Sequence, residues 1–552
     1  MNALPSVWQQ HYNPLGSLAR STLVAAAPVA ALLCAIALWR VRIHFAAVGA
    51  LALAWVIAVA VFGMPWNAAL AAALFGVAYG LFPIGWIILN LIFLYELTVR
   101  KGSFAVLRRS LATLAPDPRV QVILIAFSFG AFFEGAAGFG TPVAIASAIL
   151  MQLGFRPLMA CGLSLIANTA PVAFGGLGTP IIALSAVTGI DLLQLSAMIG
   201  KQLPPFSLLI PFWVVWAMAG FRGMIEVWPA ALTAGAFFAT PQYLISNFHG
   251  PWLVDIVSAL CSILALAVLL KFWQPKALWK LEDAPAASDQ PVHTRGELAR
   301  AWAPWLLLTV FIFTWGLPPV RRALNRTAGA DRCQWAVPFL HERVARGPEA
   351  ALPGAPPEKA IYSLEWLSAT GTGILLAALC AGVLMGHRPG PMAVMYLETV
   401  WRLRFSLLTI AAMLSLGYVT RYSGTDVTLG LALAHTGPFY PFFGTLLGWL
   451  GVALTGSDTA SNALFGSLQT ITARHLALPP TLMAAANSSG GVMGKMIDAQ
   501  SIVVASTATN WYGHEGSILR YVFFHSLALA ALMGLLVWLQ ALSGPSAVFH
   551  VN

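Results

Sequence analysis

Charge is what this sequence has least of. Asp, Glu, Lys and Arg together make up 9% of its 552 residues, where soluble domains carry about 25%. A soluble core of this size needs a charged shell, so a large soluble protein is excluded. Acids are scarcer than bases, 20 against 30. The excess of +10 is spread through short loops, with no basic run interleaved with aromatics, so no nucleic-acid partner is expected. Cysteine is sparse too. Of five, Cys34, Cys161, Cys261 and Cys380 lie in apolar runs and Cys333 in a polar insert. An odd count without metal-ligand spacing argues against a disulfide framework and a zinc module. Hydrolase elements are also missing: there is no Gly-x-Ser-x-Gly elbow, and His514-Glu515 lacks the second His of a zinc protease. No cofactor or metal is expected. No Lys or Arg precedes Arg20, and the first apolar run ends at Arg40 and Arg42. A cleaved signal peptide has its positive charge first, so this run is expected to be a retained span.

Apolar surface fills the chain instead. A hydrophobic content of 59%, with 20 Trp and 31 Phe, fits an all-α polytopic membrane protein with aromatic interface belts. A helix needs about 20 apolar residues to cross a bilayer. Such runs lie near 22–39, 43–62, 67–99, 157–187, 195–220, 228–246, 252–271, 301–318, 365–386, 403–420, 479–508 and 518–541. That predicts about twelve spans. Two more apolar stretches, 120–154 and 438–472, are rich in Gly and polar residues and are read as re-entrant hairpins. Lys and Arg favour the cytoplasmic side. That places Arg40 and Arg42, the dense loop 100–119, Arg222, the linker 272–300 and Arg388, Arg402 and Arg404 inside, and both termini in the periplasm. The insert 319–364 then falls outside although it holds Arg321, Arg322, Arg326, Arg332, Arg343 and Arg346. Long segments obey the rule less strictly. The chain divides into a first membrane half, 1–271, the linker, and a second half, 301–552.

The two interrupted stretches form a repeat. The first reads Glu134-Gly-Ala-Ala-Gly-Phe-Gly-Thr-Pro142, followed by Ala167-Asn-Thr-Ala-Pro171 and Gly175-Gly176. The second reads Thr455-Gly-Ser-Asp-Thr-Ala-Ser-Asn462, followed by Ala486-Asn-Ser-Ser-Gly490 and Gly491. Gly135 aligns with Gly456, and Asn168 with Asn487 across a short gap. On the span count the copies are inverted, the plan of many secondary transporters, with the substrate site at the repeat interface. Irregular backbone at membrane depth survives only when enclosed by protein or lining a watery cavity. Its helix N-termini then offer positive potential to an anion.

Ionisable residues inside spans are costly and usually functional. Glu134, Asp458, Lys495 and Asp498 stand out. Glu134 or Asp458 is placed to carry a proton, or to cap a half-helix. Lys495 is placed to bind a carboxylate, or to pair with Asp498 three residues on. The segment around Lys495 imitates a phosphate loop but has Ser489 for the leading Gly and Met496 after the Lys. Asn168, Thr169, Ser457, Thr459, Ser461, Asn462, Asn487 and Ser488 offer donors and acceptors for carboxylate or hydroxyl oxygens, for Na⁺, or simply for helix–helix hydrogen bonds. Arg156, Arg421, Arg474 and Arg520 sit near span ends, as interface anchors do.

Three stretches resemble the L-lactate permease family, which includes glycolate permeases. They are Phe127-Ser-Phe-Gly-Ala-Phe-Phe-Glu-Gly-Ala-Ala-Gly-Phe-Gly-Thr-Pro-Val-Ala-Ile145, Leu454-Thr-Gly-Ser-Asp-Thr-Ala-Ser-Asn462 and Ala486-Asn-Ser-Ser-Gly-Gly-Val-Met-Gly-Lys-Met-Ile-Asp498. Phe82-Pro-Ile-Gly-Trp86 and Leu203-Pro-Pro-Phe206 add to the likeness, which runs nearly the whole chain. The resemblance implies a bacterial inner-membrane symporter that moves L-lactate, with D-lactate or glycolate, together with a proton. It also implies a distant relation to carboxylate carriers with paired hairpins and an elevator-like motion. The expected site comprises Gly135, Asn168, Thr169, Ser457, Thr459, Asn462, Asn487, Ser488 and Lys495 for substrate, and Glu134, Asp458 and Asp498 for the proton. A Na⁺-coupled organic-anion carrier is the alternative; a membrane enzyme and a channel are rivals from other classes. Oligomeric state is not legible.

Overall fold

The computed structural model describes residues 7–37, 39, 41–103, 106, 115–136, 141–279, 294–329, 333–347, 356–511 and 514–543. In lipid every backbone N–H needs a partner within the segment, and the apolar runs accordingly fold as helices. Seven of the described helices are long and apolar enough to cross a membrane: Trp66–Arg100, Pro118–Ala136, Pro204–Glu226, Val254–Phe272, Gly296–Trp315, Pro389–Ser423 and Glu515–Leu542. The pair Pro157–Ala167 and Val172–Thr188, bent by 66°, makes an eighth. Leu18–Ala37, Ile43–Ala60, Trp228–Phe248 and Thr370–Leu384 occupy further expected positions. Of the linker 272–300, residues 280–293 lie outside the described ones.

The two 35-residue helices Trp66–Arg100 and Pro389–Ser423 run against each other through glycine. A Cβ on Gly76 would meet Ser415 Cα at 2.3 Å, and one on Gly80 would meet Ala411 Cα at 2.7 Å. Small residues let helices approach this closely where no hydrophobic force drives them together.

Each interrupted stretch holds two successive helical arms. The first is Pro118–Ala136 followed by Thr141–Gln152; residues 137–140 between them lie outside the described ones. The second is Tyr440–Thr455 followed by Asp458–His475. Its break needs Gly456, at φ +71°, a left-handed conformation that ends a helix cheaply only in glycine. Ser457 then caps the next helix by accepting from Ala460 N. The arms run antiparallel: Ser461 Oγ donates to Gly448 O at 3.2 Å, Gln469 Nε2 to Gly444 O at 2.6 Å, and Tyr440 OH to Gln469 Oε1 at 2.8 Å. Pro118–Ala136 is almost wholly enclosed by protein.

Each stretch is followed by a second broken pair, the bent 157–188 and then Pro480–Gly494 with Ala499–Ala508. Thr141–Gln152 packs on Ala499–Ala508, and Asp458–His475 packs on Gly175–Thr188. The second arm of each copy thus lies on the last helix of the other, the reciprocity that a two-fold relation produces. The two asparagines do not hold equivalent places. Asn168 ends Pro157–Ala167 at the bend, whereas Asn487 lies within Pro480–Gly494 and the second break comes at 495–498.

Trp8–Gln9 pairs in parallel with Val344–Ala345, and Gln334–Ala336 antiparallel with Ile361–Ser363. The N-terminal segment and the insert therefore share one face of the molecule. There the reading of Arg421 as an interface anchor is corrected. Its Nη2 lies 3.0 Å from Glu358 Oε2 and its Nη1 donates to Val187 O at 3.0 Å. The insert pairs with this arginine and leaves its side chain only 16% exposed, so it is held by protein and not by the interface. Arg346 Nε reaches the other Glu358 oxygen at 2.5 Å. Burial pushes the Glu358 carboxyl up, but Arg421 and Arg346 outweigh it and hold the group below the usual carboxylate range. Arg119, counted with the basic loop, is fully buried between Asp117, at 2.9 Å, and Glu226, at 2.5 Å. Arg156, Arg474 and Arg520 are exposed, as anchors are.

Candidate functional site

A cavity of about 200 Å³ lies where the two copies meet. Pockets for drug-sized ligands run about 300–1,000 Å³, so this one suits a smaller molecule. Its walls are the second break with the first turn of Asp458–His475, the head of Gly175–Thr188, the side chains of Glu134 and Lys495, and a facing wall of His44, Phe405, Ser406 and Thr409.

Each acid is held by its own copy. Asp458 Oδ2 accepts from Ser488 Oγ at 2.5 Å and from Asn462 Nδ2 at 3.3 Å. Asn462 Oδ1 accepts from Asn487 Nδ2 at 2.9 Å, and Asn487 Oδ1 from Gln469 Nε2 at 3.2 Å. A chain of buried amides thus fixes Asp458 from behind. Asn462 Nδ2 also reaches Pro180 O in the other copy at 3.1 Å. Glu134 Oε2 accepts from Asn168 Nδ2 at 3.1 Å. Gly175 makes room for this acid, since a Cβ there would lie 2.6 Å from Glu134 Oε1.

Of the two roles the sequence left open for Lys495, the pairing with Asp498 is made. It lines the cavity, and its Nζ lies 3.3 Å from Asp498 Oδ2 while donating to Gly456 O at 2.7 Å. Asp498 Oδ1 in turn accepts from Ser501 N at 2.7 Å, at the start of Ala499–Ala508. The head of Gly175–Thr188 is unusual backbone. Gly176, Leu177 and Gly178 all have φ between +51° and +76°. A left-handed conformation costs a non-glycine residue about 1–2 kcal/mol, and such outliers gather at functional sites.

Of the residues singled out in the sequence, Glu134, Ser457, Asp458, Thr459 and Lys495 line the cavity. Asn168, Asn462, Ser488 and Asp498 stand behind it, holding those that do, and Asn487 holds Asn462. Thr169 Oγ1 donates to Ile166 O at 2.8 Å, and Gly135 packs against Asp255 and Ile256. Sequence reasoning missed Thr179, Thr455, Gln500 and the facing wall, where His44 stacks on Phe405 with centroids 4.6 Å apart. It also passed over three buried acids, Asp117, Asp255 and Asp426. Asp255 was legible in principle: it lies within an expected span, 252–271, but near the end where charge is ordinary.

The arrangement presents helix N-termini from both copies, a lysine and two acids to one small cavity. Helix N-termini bind anions through their free N–H groups and dipole. Membrane-crossing helices around a cavity built from paired broken helices define the class as a multi-pass transport protein.

The particular family follows from comparison with known proteins. The family model described as L-lactate permease matches residues 21–543. The glycolate permease GlcA of Escherichia coli (strain K12) is 47% identical, over 97% of this chain and 98% of that one. The L-lactate permeases of Bacillus subtilis (strain 168) and E. coli (strain K12) are 45% and 42% identical, with the same coverage. The chain belongs to the L-lactate permease family, a family of transporters rather than enzymes. Among solved structures, the YdaH transporter of Alcanivorax borkumensis aligns over 84% of this chain and 86% of that one at 15% identity. The TM-score is 0.41, a likeness too loose to assign the fold by.

Proposed function

We propose that the protein takes up L-lactate and related 2-hydroxy monocarboxylates, D-lactate and glycolate, together with a proton, across the bacterial inner membrane. The observation that carries this reading is the convergence of Glu134, Asp458 and Lys495 on one small cavity between the repeats. In this reading about twelve spans and two re-entrant hairpins make two membrane halves, 1–271 and 301–552, with both termini in the periplasm. The substrate carboxylate lies against the first turn of Asp458–His475, with Ser457, Thr459 and Lys495. Thr179 and Thr455 are the hydroxyls nearest to hand for the 2-hydroxyl. Asn168, Asn462, Asn487 and Ser488 hold the acids in place, and Glu134 or Asp458 carries the proton. Substrate names come from the relatives, whose identities exceed 40%.

The test is uptake of labelled L-lactate into proteoliposomes under an inward proton gradient without Na⁺. Accumulation that collapses with a protonophore is expected. Uptake that requires Na⁺ removes the proton, and no uptake of lactate or glycolate removes the substrate. Glu134→Gln with Asp458→Asn should abolish gradient-driven accumulation. A doubly neutralised carrier that still concentrates lactate refutes both assignments.

A further inference from the structure

Behind the cavity lies a carboxyl group with nothing to hold it. Asp255 sits in the first turn of Val254–Phe272 and is 1% exposed. Among the described residues neither of its oxygens has a hydrogen-bond partner, and one turn on the buried Ser258 hydroxyl has none either. The side chain is packed onto Gly135, where a Cβ would lie 2.8 Å from Asp255 Cβ. Gly135 adjoins Glu134, so Asp255 stands directly behind the segment that carries the cavity acid.

The elements packed against Val254–Phe272 are Trp228–Phe248, the 123–136 stretch and Gly175–Thr188. Of the charged groups on these elements, Glu134 is the one that acts on Asp255. Lys495, in the cavity wall, and Asp498, behind it, are the charged groups that act on Glu134. At membrane depth an ionised carboxylate without a donor is costly, and the neutral acid far less so. A bare carboxyl therefore implies a proton, and this one packs on Gly135, the chain neighbour of Glu134.

We propose that Asp255 is a second station for the coupling proton, holding it while Glu134 is ionised at the cavity. The proton passes from the Asp255 carboxyl to the Glu134 carboxylate, leaving Asp255 as carboxylate and Glu134 as acid. No other bond changes. Asp255 lies off the cavity and acts through Glu134. This rests on the proton-coupled reading above.

The experiment compares wild type, Asp255→Asn and Asp255→Glu in proteoliposomes. It measures gradient-driven lactate accumulation, lactate exchange at equal pH on both sides, and the thermal midpoint of each protein. The ratio of accumulation to exchange should fall at least tenfold in Asp255→Asn and recover in Asp255→Glu. A folded Asp255→Asn with the wild-type ratio overturns the relay and leaves proton coupling intact. Wild-type protein that accumulates nothing under a proton gradient overturns the coupling itself, and the relay with it. Should Asp255→Asn not fold, Asp255→Glu decides: an unchanged pH profile of accumulation overturns the relay, and a displaced one supports it.

Discussion

At the scale of the residue, the two oxygens of Asp458 differ. Oδ2 receives Ser488 and Asn462, while Oδ1 is buried without a partner among the described residues. Gly491 gives Oδ1 its room, since a Cβ there would approach it to 2.4 Å. Overfilling a packed site costs about 1–3 kcal/mol, and here the displaced group is a cavity acid. Gly491→Ala should therefore cut lactate uptake at least tenfold. Gly49, in Ile43–Ala60, has nothing within 4 Å of its Cβ position. Gly49→Ala should leave uptake intact and stabilise the protein by about 0.5–1 kcal/mol. Equal losses in uptake assays of both variants would mean that Asp458 is not what Gly491 protects.

At the scale of the element, the hairpin arm Tyr440–Thr455 is fastened to Pro480–Gly494 by glycines that touch backbone. Cβ atoms on Gly448, Gly490 and Gly494 would meet Asn487 O at 2.0 Å, Thr445 O at 2.2 Å and Trp449 O at 2.3 Å. Backbone cannot step aside as a flexible side chain can, so a side chain here must part the helices. Gly490→Val should destabilise the purified protein by about 2 kcal/mol or more and abolish uptake, because parting these helices also draws Asn487 and Ser488 away from Asn462 and Asp458. A thermal midpoint like that of wild type would refute this packing.

At the scale of the molecule, one carboxylate joins three separate parts of the chain. Glu358 of the insert pairs with Arg346 and with Arg421 at the end of Pro389–Ser423, and Arg421 holds the carbonyl of Val187 in the first repeat. The N-terminal segment adds Gln10, whose Nε2 donates to the carbonyls of Arg421 and Tyr422 at 2.9 Å. Breaking a largely buried ion pair by removing one partner costs about 3–5 kcal/mol, so Glu358→Gln should lower stability near the bottom of that range at pH 7. The folded Glu358 carboxyl lies below its unfolded value. Its stabilisation is thus complete above the ordinary carboxylate range and is lost as pH falls through the folded value. The gap between the melting curves of wild type and Glu358→Gln should therefore narrow as pH falls below the ordinary carboxylate range. A gap that is constant with pH would mean that the charge on Glu358 does no holding.

Composition, the two Gly-rich breaks and the acids Glu134 and Asp458 were legible in the sequence by itself. Lipid tolerates neither charge nor irregular backbone without cause, so each exception marks a place of consequence before any folding is known. The broken, paired helices at 120–154 and 438–472 follow from the same reasoning. Only the tertiary structure decided that Asn168 holds Glu134 while Asn487 braces Asn462, that His44 and Phe405 face the acids across the cavity, that Arg421 pairs with the insert, and that Asp255 stands behind Glu134. These are meetings between residues far apart in the chain. Their partners depend on how helices cross, which hydropathy and spacing along one strand of sequence do not encode.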